Sequence, residues 1–539
     1  MPQPYRSQIL DHLGLVAGMF DELGIGAVID HATRQNPETR MVTVGNAVKA
    51  MVLNGLGFVN QSLYLVPMCF QHKPTHRLVA PGIEAQHLND DTLGRALDTL
   101  YDYGVTELYS LIAVTAAQRL GLTPRFAHLD RTSFHVDGRY NSAEEPDAHI
   151  IHITRGYSRD HRPDLNQVML DLLVEHQAGI PLLMKPLSGN SSDASGFGHV
   201  VSSHIAQLHT TYGTTYLVAD SALYSEENLQ KLANTESQGI TRVPATLTEA
   251  QAALAQVDPA ALQPLLEGYR YRTLTSTYGG VAQRWVLLYS EHRRPQARRT
   301  VDKQLLRQST AEVKAFQQLC RTAFACEADA QQALHAFARD LQATHVPQVT
   351  IRPTPRYAKR GRPPQAAPPQ QVVYHIEGAL ASSVAAREVL VAHHSCFILA
   401  TNELDECALP PRELLEGYKG QKHAERGFRF LKDPLFLASS FYLKKPQRIM
   451  ALLMVMTVCL LVYAALESRI RTALKTQRAT FPNQKGQPIQ HPTARWVFQY
   501  FVGIHLLVRP GEWPSVLNLT ETHAHLLRLL GQSYEAFYS

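Results

Sequence analysis

The stretch Ile449 to Leu466 (IMALLMVMTVCLLVYAAL) carries no charge, and it limits what the rest of the chain can be. At about 1.5 Å rise per residue a helix of this length just crosses a bilayer. The other solution is a helix buried on all sides in a large core. Basic residues flank both ends (Lys444, Lys445 and Arg448 before; Arg469 and Arg471 after), so no orientation bias marks a membrane span. A central span would also separate segments argued below to form one site. The expectation is therefore a core helix and no membrane. The chain has 539 residues, 45% hydrophobic and 18% charged, enough for several domains of ordinary globular composition. Lysine and arginine total 52 against 47 acids, a net charge of +5 that permits a nucleic-acid partner without demanding one. None of the six cysteines forms a CxxC pair or a His/Cys metal spacing, and the N-terminus lacks a charged-then-apolar signal pattern. Both features suit a reduced, cytoplasmic chain without structural zinc.

From Tyr5 to about Gly121 apolar residues recur at helical spacing, as in ILDHLGLVAGMFDELGI and VGNAVKAMVLNGLGFV. Asn89-Asp90-Asp91-Thr92 supplies capping groups for a helix over LGRALDTLYDYG. Such a helical domain suits DNA binding, pairing of two copies, or plain scaffolding. From Arg125 the period changes to that of strands. FAHLDRTSFHV (126–136), HIIHIT (149–154) and QVMLDLLVE (167–175) read as three strands, and PLLMKP (181–186) continues the sheet. A helix over about 195–212 precedes TYLVA (215–219), a buried strand ending at Asp220, followed by a helix at 226–233 and the strand ITRVPA. This order matches a ribonuclease-H-like (retroviral-integrase-like) α/β fold.

Between about 247 and 370 that pattern is interrupted by the strands YRYRTLTS and QRWVLLYS, a polar helical stretch (301–344), the strand VPQVTIRP and the Pro-rich linker PRYAKRGRPPQAAPPQ. The sheet is expected to resume at VVYHIEG and CFILATN. The expected division is 1–122 helical, 123–246 and 371–476 the two parts of one α/β core, 247–370 an insertion, and 477–539 a helical end.

Phosphodiester transfer assisted by two divalent metals needs carboxylates from separate elements meeting at one point. Asp130 lies mid-strand in HLDRTS, and Asp220 ends its strand in LVADSALYS. Adjacent in a mixed sheet, these strands would bring both carboxylates to one edge of a cleft. Each aspartate alone is better explained by a strand end or helix cap, where aspartate is common. The third acid is Glu425, in a segment (418–432) that reads as one helix opened by Pro410-Pro411. Steps of seven align Tyr418, Glu425 and Lys432, with Lys422 and Arg429 beside them. An acid among cations and a phenol suits a metal-and-phosphate surface, and equally a solvated helix with i,i+4 charge pairs.

These residues resemble the signature Tyr-x2-Arg-x3-Glu-x6-Lys of a large group of bacterial insertion-sequence transposases in the DDE superfamily. Tyr418, Glu425 and Lys432 match it; Gln421 stands where the group usually has Arg, and Lys422 would supply that phosphate contact from the next position. GYSRDHRPDLNQ, PLSGNSSD, VADSALYS and ITRVPATL are similar to the group's wording, over roughly Arg125 to Ala473. The resemblance implies a catalytic triad of Asp130, Asp220 and Glu425 holding two Mg²⁺ ions, with Mn²⁺ a possible substitute. It implies cleavage at transposon ends, strand transfer into target DNA, phosphate contacts from Tyr418, Lys422, Arg429 and Lys432, and a homodimer joining two terminal inverted repeats. A bacterial cytoplasmic, nucleoid-associated location follows. An aromatic residue that stacks on a flipped base in a hairpin intermediate would be Trp285, which reads more readily as a strand-core residue.

Arg360-Gly361-Arg362-Pro363 resembles a minor-groove hook, and also suits a solvated linker. Arg159 and Arg162 crowd the turn after HIIHIT together with Arg155 and His161, placed for DNA backbone or for solvation. Arg293, Arg294, Arg298 and Arg299 leave the same choice open. Three rivals remain: a catalytically inactive DNA-binding descendant, a nuclease without strand transfer, and a membrane-associated protein built on 449–466.

Overall fold

The computed structural model describes residues 5–36, 40–58, 63–136, 140, 150–156, 162–191, 215–235, 237–357, 369–433, 443–509 and 511–539. The expected helix at 195–212 lies outside them. The chain divides into two compact units, one of residues 1–241, 277–283 and 401–539, the other of 242–276 and 284–400.

The first unit begins with helices: α1 (Leu13–Glu22), α2 (Ile25–Ala32), α3 (Val44–Leu56), α4 (Asp90–Tyr103) and α5 (Val105–Arg119). Asn89 caps α4 as its sequence suggests, its side chain accepting from the Thr92 N–H at 2.9 Å. Next come β1 (Phe126–Val136), β2 (Asn166–Glu175), β3 (Pro181–Ser188) and β4 (Tyr216–Ala219), then α6 (Glu226–Asn234) and β5 (Gln238–Arg242). These strands lie side by side in the order β3-β2-β1-β4-β5. β1, β2 and β3 are antiparallel neighbours, whereas β4 runs parallel to β1, and β5 parallel to β4. HIIHIT is not one of the three antiparallel strands. Over the described residues 150–156 one backbone bridge forms, Thr154 to Gln167. Ile151 and Ile153 turn inward as the alternation predicts, but alternation alone does not supply a neighbouring backbone to pair with.

The unit continues with α7 (Pro411–Lys419), α8 (Lys422–Leu431) and α9 (Pro446–Thr476), and short helices and strands follow to the end of the chain. The helix α9 contains the uncharged stretch and is the one helix among the described residues long and apolar enough to cross a membrane; 94% of its apolar window is buried inside the protein. It packs against α1, α3, α4 and α5, against β3, and against α8. The core-helix expectation is met. An apolar surface running all round a helix must be covered all round, and here the helical region and the sheet cover it from different sides. Its start is fastened to α4 by a two-pronged pair, with Arg448 Nε and Nη2 each donating to Asp98 at 2.7 Å. The pair holds the Asp98 carboxyl below the usual aspartate range. That contribution is present at neutral pH and lost as pH falls through the depressed pKa.

The strands Cys396–Thr401, Val281–Ser290, Tyr269–Tyr278 and Gln263–Leu266, most of whose residues belong to the second unit, are neighbours in that order. The polar helical stretch forms two helices, Arg294–Arg321 and Glu327–Arg339; Thr322 turns extended and Cys326 caps the second. VVYHIEG does not resume the sheet. It belongs to Gln371–Ser382, which forms a two-stranded antiparallel ribbon with Thr344–Arg356, pairing Ile351 with Ile376.

Leu453 on α9 is fully buried. Leu453→Ala is expected to lower unfolding stability by about 2–5 kcal/mol. A urea denaturation midpoint equal to the wild type's would show that this helix is not part of the core.

Candidate active site

β1 is buried at every position except Asp130 and His135, which are half-buried. It pairs with β4 in one unbroken parallel register, Phe126 to Tyr216, Ala127 to Leu217 and His128 to Val218. Continued for two residues, that register sets Asp130 level with Asp220. Neighbouring strands lie about 4.8 Å apart and paired residues point to the same face. The pairing itself ends at His128 and Val218, two residues before each aspartate. The Asp220 side chain is oriented locally, accepting from the Ala222 N–H at 2.9 Å, while its backbone carbonyl accepts from Thr241 Oγ1 at 2.7 Å. Asp130 Oδ1 accepts from the Arg131 N–H at 2.8 Å.

The face they share is settled by packing. Leu172, directly opposite Asp130 on β2, lies in one core with Ala424, Phe428 and Leu431 of α8. The other face, bearing Ala127, Leu129, Leu217 and Ala219, packs with Ala117 of α5. α7 packs on β4 and α8 on β1 and β2, so the two helices cover the strands that carry the aspartates. Two glycines permit the approach. A Cβ on Gly417 would lie 2.7 Å from a Phe126 ring carbon, and one on Gly420 would lie 2.7 Å from His128 Nε2. Phe126, His128 and Asp130 alternate onto one face, so the chain passes over Phe126, then His128, as it heads into α8. Glu425 follows in the first turn of α8, with an exposed side chain.

The expectation of one helix from Tyr418 to Lys432 is corrected: α7 and α8 are separated at Gly420–Gln421. The Gln421 N–H donates to the Tyr418 carbonyl, a tight i,i+3 bond, before the regular bond from Glu425 to Gln421 restarts the helix. Tyr418 thus belongs to α7 and is half-buried, while Lys432 caps α8 and is half-buried. Lys422 and Arg429 are exposed beside Glu425.

On the opposite face, Arg131 and Asp171 form a buried two-pronged pair, Nε to Oδ1 at 2.5 Å and Nη2 to Oδ2 at 2.8 Å. Lys185 lies across from Asp171 on β3. Burial pushes the Lys185 ammonium below its usual range, opposed by Asp171 and Glu107. Strand alternation keeps this charged row off the face that bears Asp130.

Three carboxylates are hard oxygen donors of the kind that hold Mg²⁺ or Mn²⁺. Among the described residues no three acidic, histidine or cysteine side chains converge closely enough to hold a metal ion. The donor chemistry fits; Asp130 lies on β1, Asp220 directly follows its parallel neighbour β4, and Glu425 lies on α8, which packs on β1 and β2.

The chain matches the transposase DDE domain over residues 123–462, well over half its length. It belongs to the DDE transposase family. The matched segment contains Asp130, Asp220 and Glu425. Residues 5–114 match a domain of unknown function, DUF4277. No curated protein matches the chain. Among solved structures it is similar to a piggyBac transposase synaptic complex with hairpin DNA at 9% identity and a TM-score of 0.36, covering 93% of this chain and 83% of that one.

Other residues singled out in this DDE transposase fall differently. Trp285 is 2% exposed within its strand, so stacking on a base would require the indole to leave that position. Arg162 is exposed and engages Asp164 through two hydrogen bonds of 2.8 and 2.9 Å. Arg159, Arg360 and Arg362 lie outside the described residues. The Arg131–Asp171 pair and the approach of Gly417 and Gly420 escaped the sequence reading. A GYKG spacing hints at close helix packing without naming its partner.

Gly417→Ala is expected to cost about 1–3 kcal/mol through overpacking against Phe126. Phe126→Leu should relieve part of that cost, giving a favourable coupling in a double-mutant cycle. Strict additivity of the two changes in urea denaturation would mean that the helix is not held against β1 here.

Proposed function

We propose that this chain is a DNA transposase that cleaves at transposon ends and joins them to target DNA. The observation that supports the reading is the parallel pairing of β1, which carries Asp130, with β4, which ends at Asp220, beside the helix that bears Glu425. The sheet, three antiparallel strands followed by two parallel ones, supports a ribonuclease-H-like core.

Asp130, Asp220 and Glu425 would hold two divalent ions, Mg²⁺ or in substitution Mn²⁺. When bound, such ions supply charge neutralisation and alignment of the attacking and leaving oxygens. In the first reaction water attacks a phosphodiester at the transposon end, the P–O3′ bond breaks, and a 3′-hydroxyl is released. In the second that hydroxyl attacks target DNA, and the target's own P–O3′ bond breaks. Tyr418, Lys422, Arg429 and Lys432, on or next to the helix of Glu425, position phosphates around the scissile bond. Terminal inverted repeats and target DNA are the partners, a homodimer holds two ends together, and the bacterial nucleoid is the place of action. One observation favours an inactive DNA-binding descendant instead: the three acids do not converge among the described residues. A nuclease that never joins strands would use the same residues.

Mg²⁺-dependent cleavage and strand transfer on DNA carrying the element's own ends, with Glu425→Gln as the comparison, separates these readings. Cleavage is expected to fall by a factor on the order of 10³ or more while end binding persists. Equal cleavage by both proteins would remove Glu425 from the site. Binding without cleavage by either would favour the inactive descendant, and cleavage without joining would favour the nuclease.

A further inference from the structure

A cavity of about 460 Å³ opens beside α8, and four arginines from three segments line it: Arg426, Arg429, Arg471 and Arg495. We infer that these arginines form a subsite for a backbone phosphate of DNA next to Glu425. The inference rests on the transposase reading for the nature of the anion, while the site itself rests on charge and geometry. Arg429 is one helical turn beyond Glu425, and residues four apart on a helix are neighbours on its surface. Arg426 follows Glu425 directly, so the cavity begins at the flank of the proposed catalytic acid.

Two acids face this group. Glu467, 8% exposed, accepts from Arg426 Nη2 at 3.4 Å, from Arg471 Nη2 at 2.6 Å and from the Ala494 N–H at 2.9 Å. Asp433 pairs with Arg495 Nη1 at 2.5 Å. Among the described residues no carboxylate lies within ion-pair distance of Arg429. Among the described residues of the wall, four guanidiniums face two carboxylates. The other ionisable wall group is Tyr463. Burial, aided by Glu467, pushes its phenol up to about 12, so it stays neutral and adds no opposing charge.

A merely structural network would use its arginines up. Each guanidinium carries five N–H groups in a planar fork that matches two phosphate oxygens. Glu467 takes one nitrogen from Arg426 and one from Arg471, fixing their directions and leaving further donors. Arg471 Nε is also fixed, donating to the Pro492 carbonyl at 2.9 Å. A rigid carboxylate behind two half-exposed arginines holds the fork in place before the anion arrives, which lowers the ordering cost of binding. The opposite wall is the β2–β3 turn, Gln177 to Gly179. The buried Glu175 carboxylate holds that turn by accepting from the N–H groups of Gln177, Ala178 and Ile180.

The test is the salt dependence of binding to a duplex carrying the element's own end, and to an unrelated duplex of equal length. Log affinity falls with log salt by about 0.9 per phosphate contact. Arg429→Gln, an exposed change that leaves Glu467 and its partners intact, should flatten the slope by about that amount on both duplexes. Arg429→Gln combined with Arg495→Gln should flatten it further, with circular dichroism and the urea midpoint confirming that the fold is retained. An unchanged slope in both variants overturns the subsite, including when free inorganic phosphate still binds the cavity. Glu425→Gln assayed in parallel separates this from the catalytic reading. An inactive Glu425→Gln with unchanged slopes in the arginine variants leaves the triad and removes the subsite. Full cleavage by Glu425→Gln with flattened slopes does the reverse. Absence of salt-dependent binding to either duplex overturns both.

Discussion

Covering α9 is the constraint on which the first unit depends. Leu452, Leu453, Val455, Leu461 and Leu466 point in different directions round this helix, yet each is at most 2% exposed. Each large apolar side chain so buried is worth roughly 1.5–3 kcal/mol relative to exposure, so no side of the helix can be left open cheaply. The helical region from α1 to α5 covers part of it, and β3 and α8 cover the rest. The fit against α8 is close: a Cβ on Gly427 would lie 3.0 Å from Leu460. The helix that carries Glu425 is therefore held between α9 behind it and β1 beneath it. Its position is a by-product of core packing, which is how a loosely exposed glutamate acquires a fixed location.

The sheet separates two kinds of charge. Alternation along β1 places Asp130 toward α8 and Arg131 toward the opposite face, where Asp171 neutralises it. A buried ion pair contributes little net stability, because desolvation offsets much of the attraction, but removing one partner is costly. Here the pair lets a strand carry an acid and a base in succession without the arginine quenching the acid. Cations near Glu425 come instead from α8, where Lys422 and Arg429 are exposed.

Much of this was legible in the sequence, and what was legible is local. The alternation in FAHLDRTSFHV and the short run TYLVA predicted β1 and β4, with Asp130 mid-strand and Asp220 at a strand end, as observed. What failed depended on partners. HIIHIT alternates like a strand, but its described residues form one bridge, Thr154 to Gln167, and one further backbone bond, from the Gly189 N–H to the His152 carbonyl. VVYHIEG has strand character, yet its partner is Thr344–Arg356 rather than the sheet. The break at Gly420–Gln421 follows from the need to pass close over His128, which helical spacing does not register. The four arginines of the cavity are scattered in sequence and meet because α8, α9 and the segment holding Arg495 pack together.

The central claim is that Asp130, Asp220 and Glu425 serve one metal site. Replacing Mg²⁺ with Fe²⁺ and generating hydroxyl radicals with ascorbate and peroxide cuts a polypeptide near the bound ion, without any need for catalysis. The account predicts backbone cuts clustered beside all three residues, suppressed together by excess Mg²⁺ and by Asp220→Asn. Cuts beside Asp130 and Asp220 that leave the segment around Glu425 intact would contradict it.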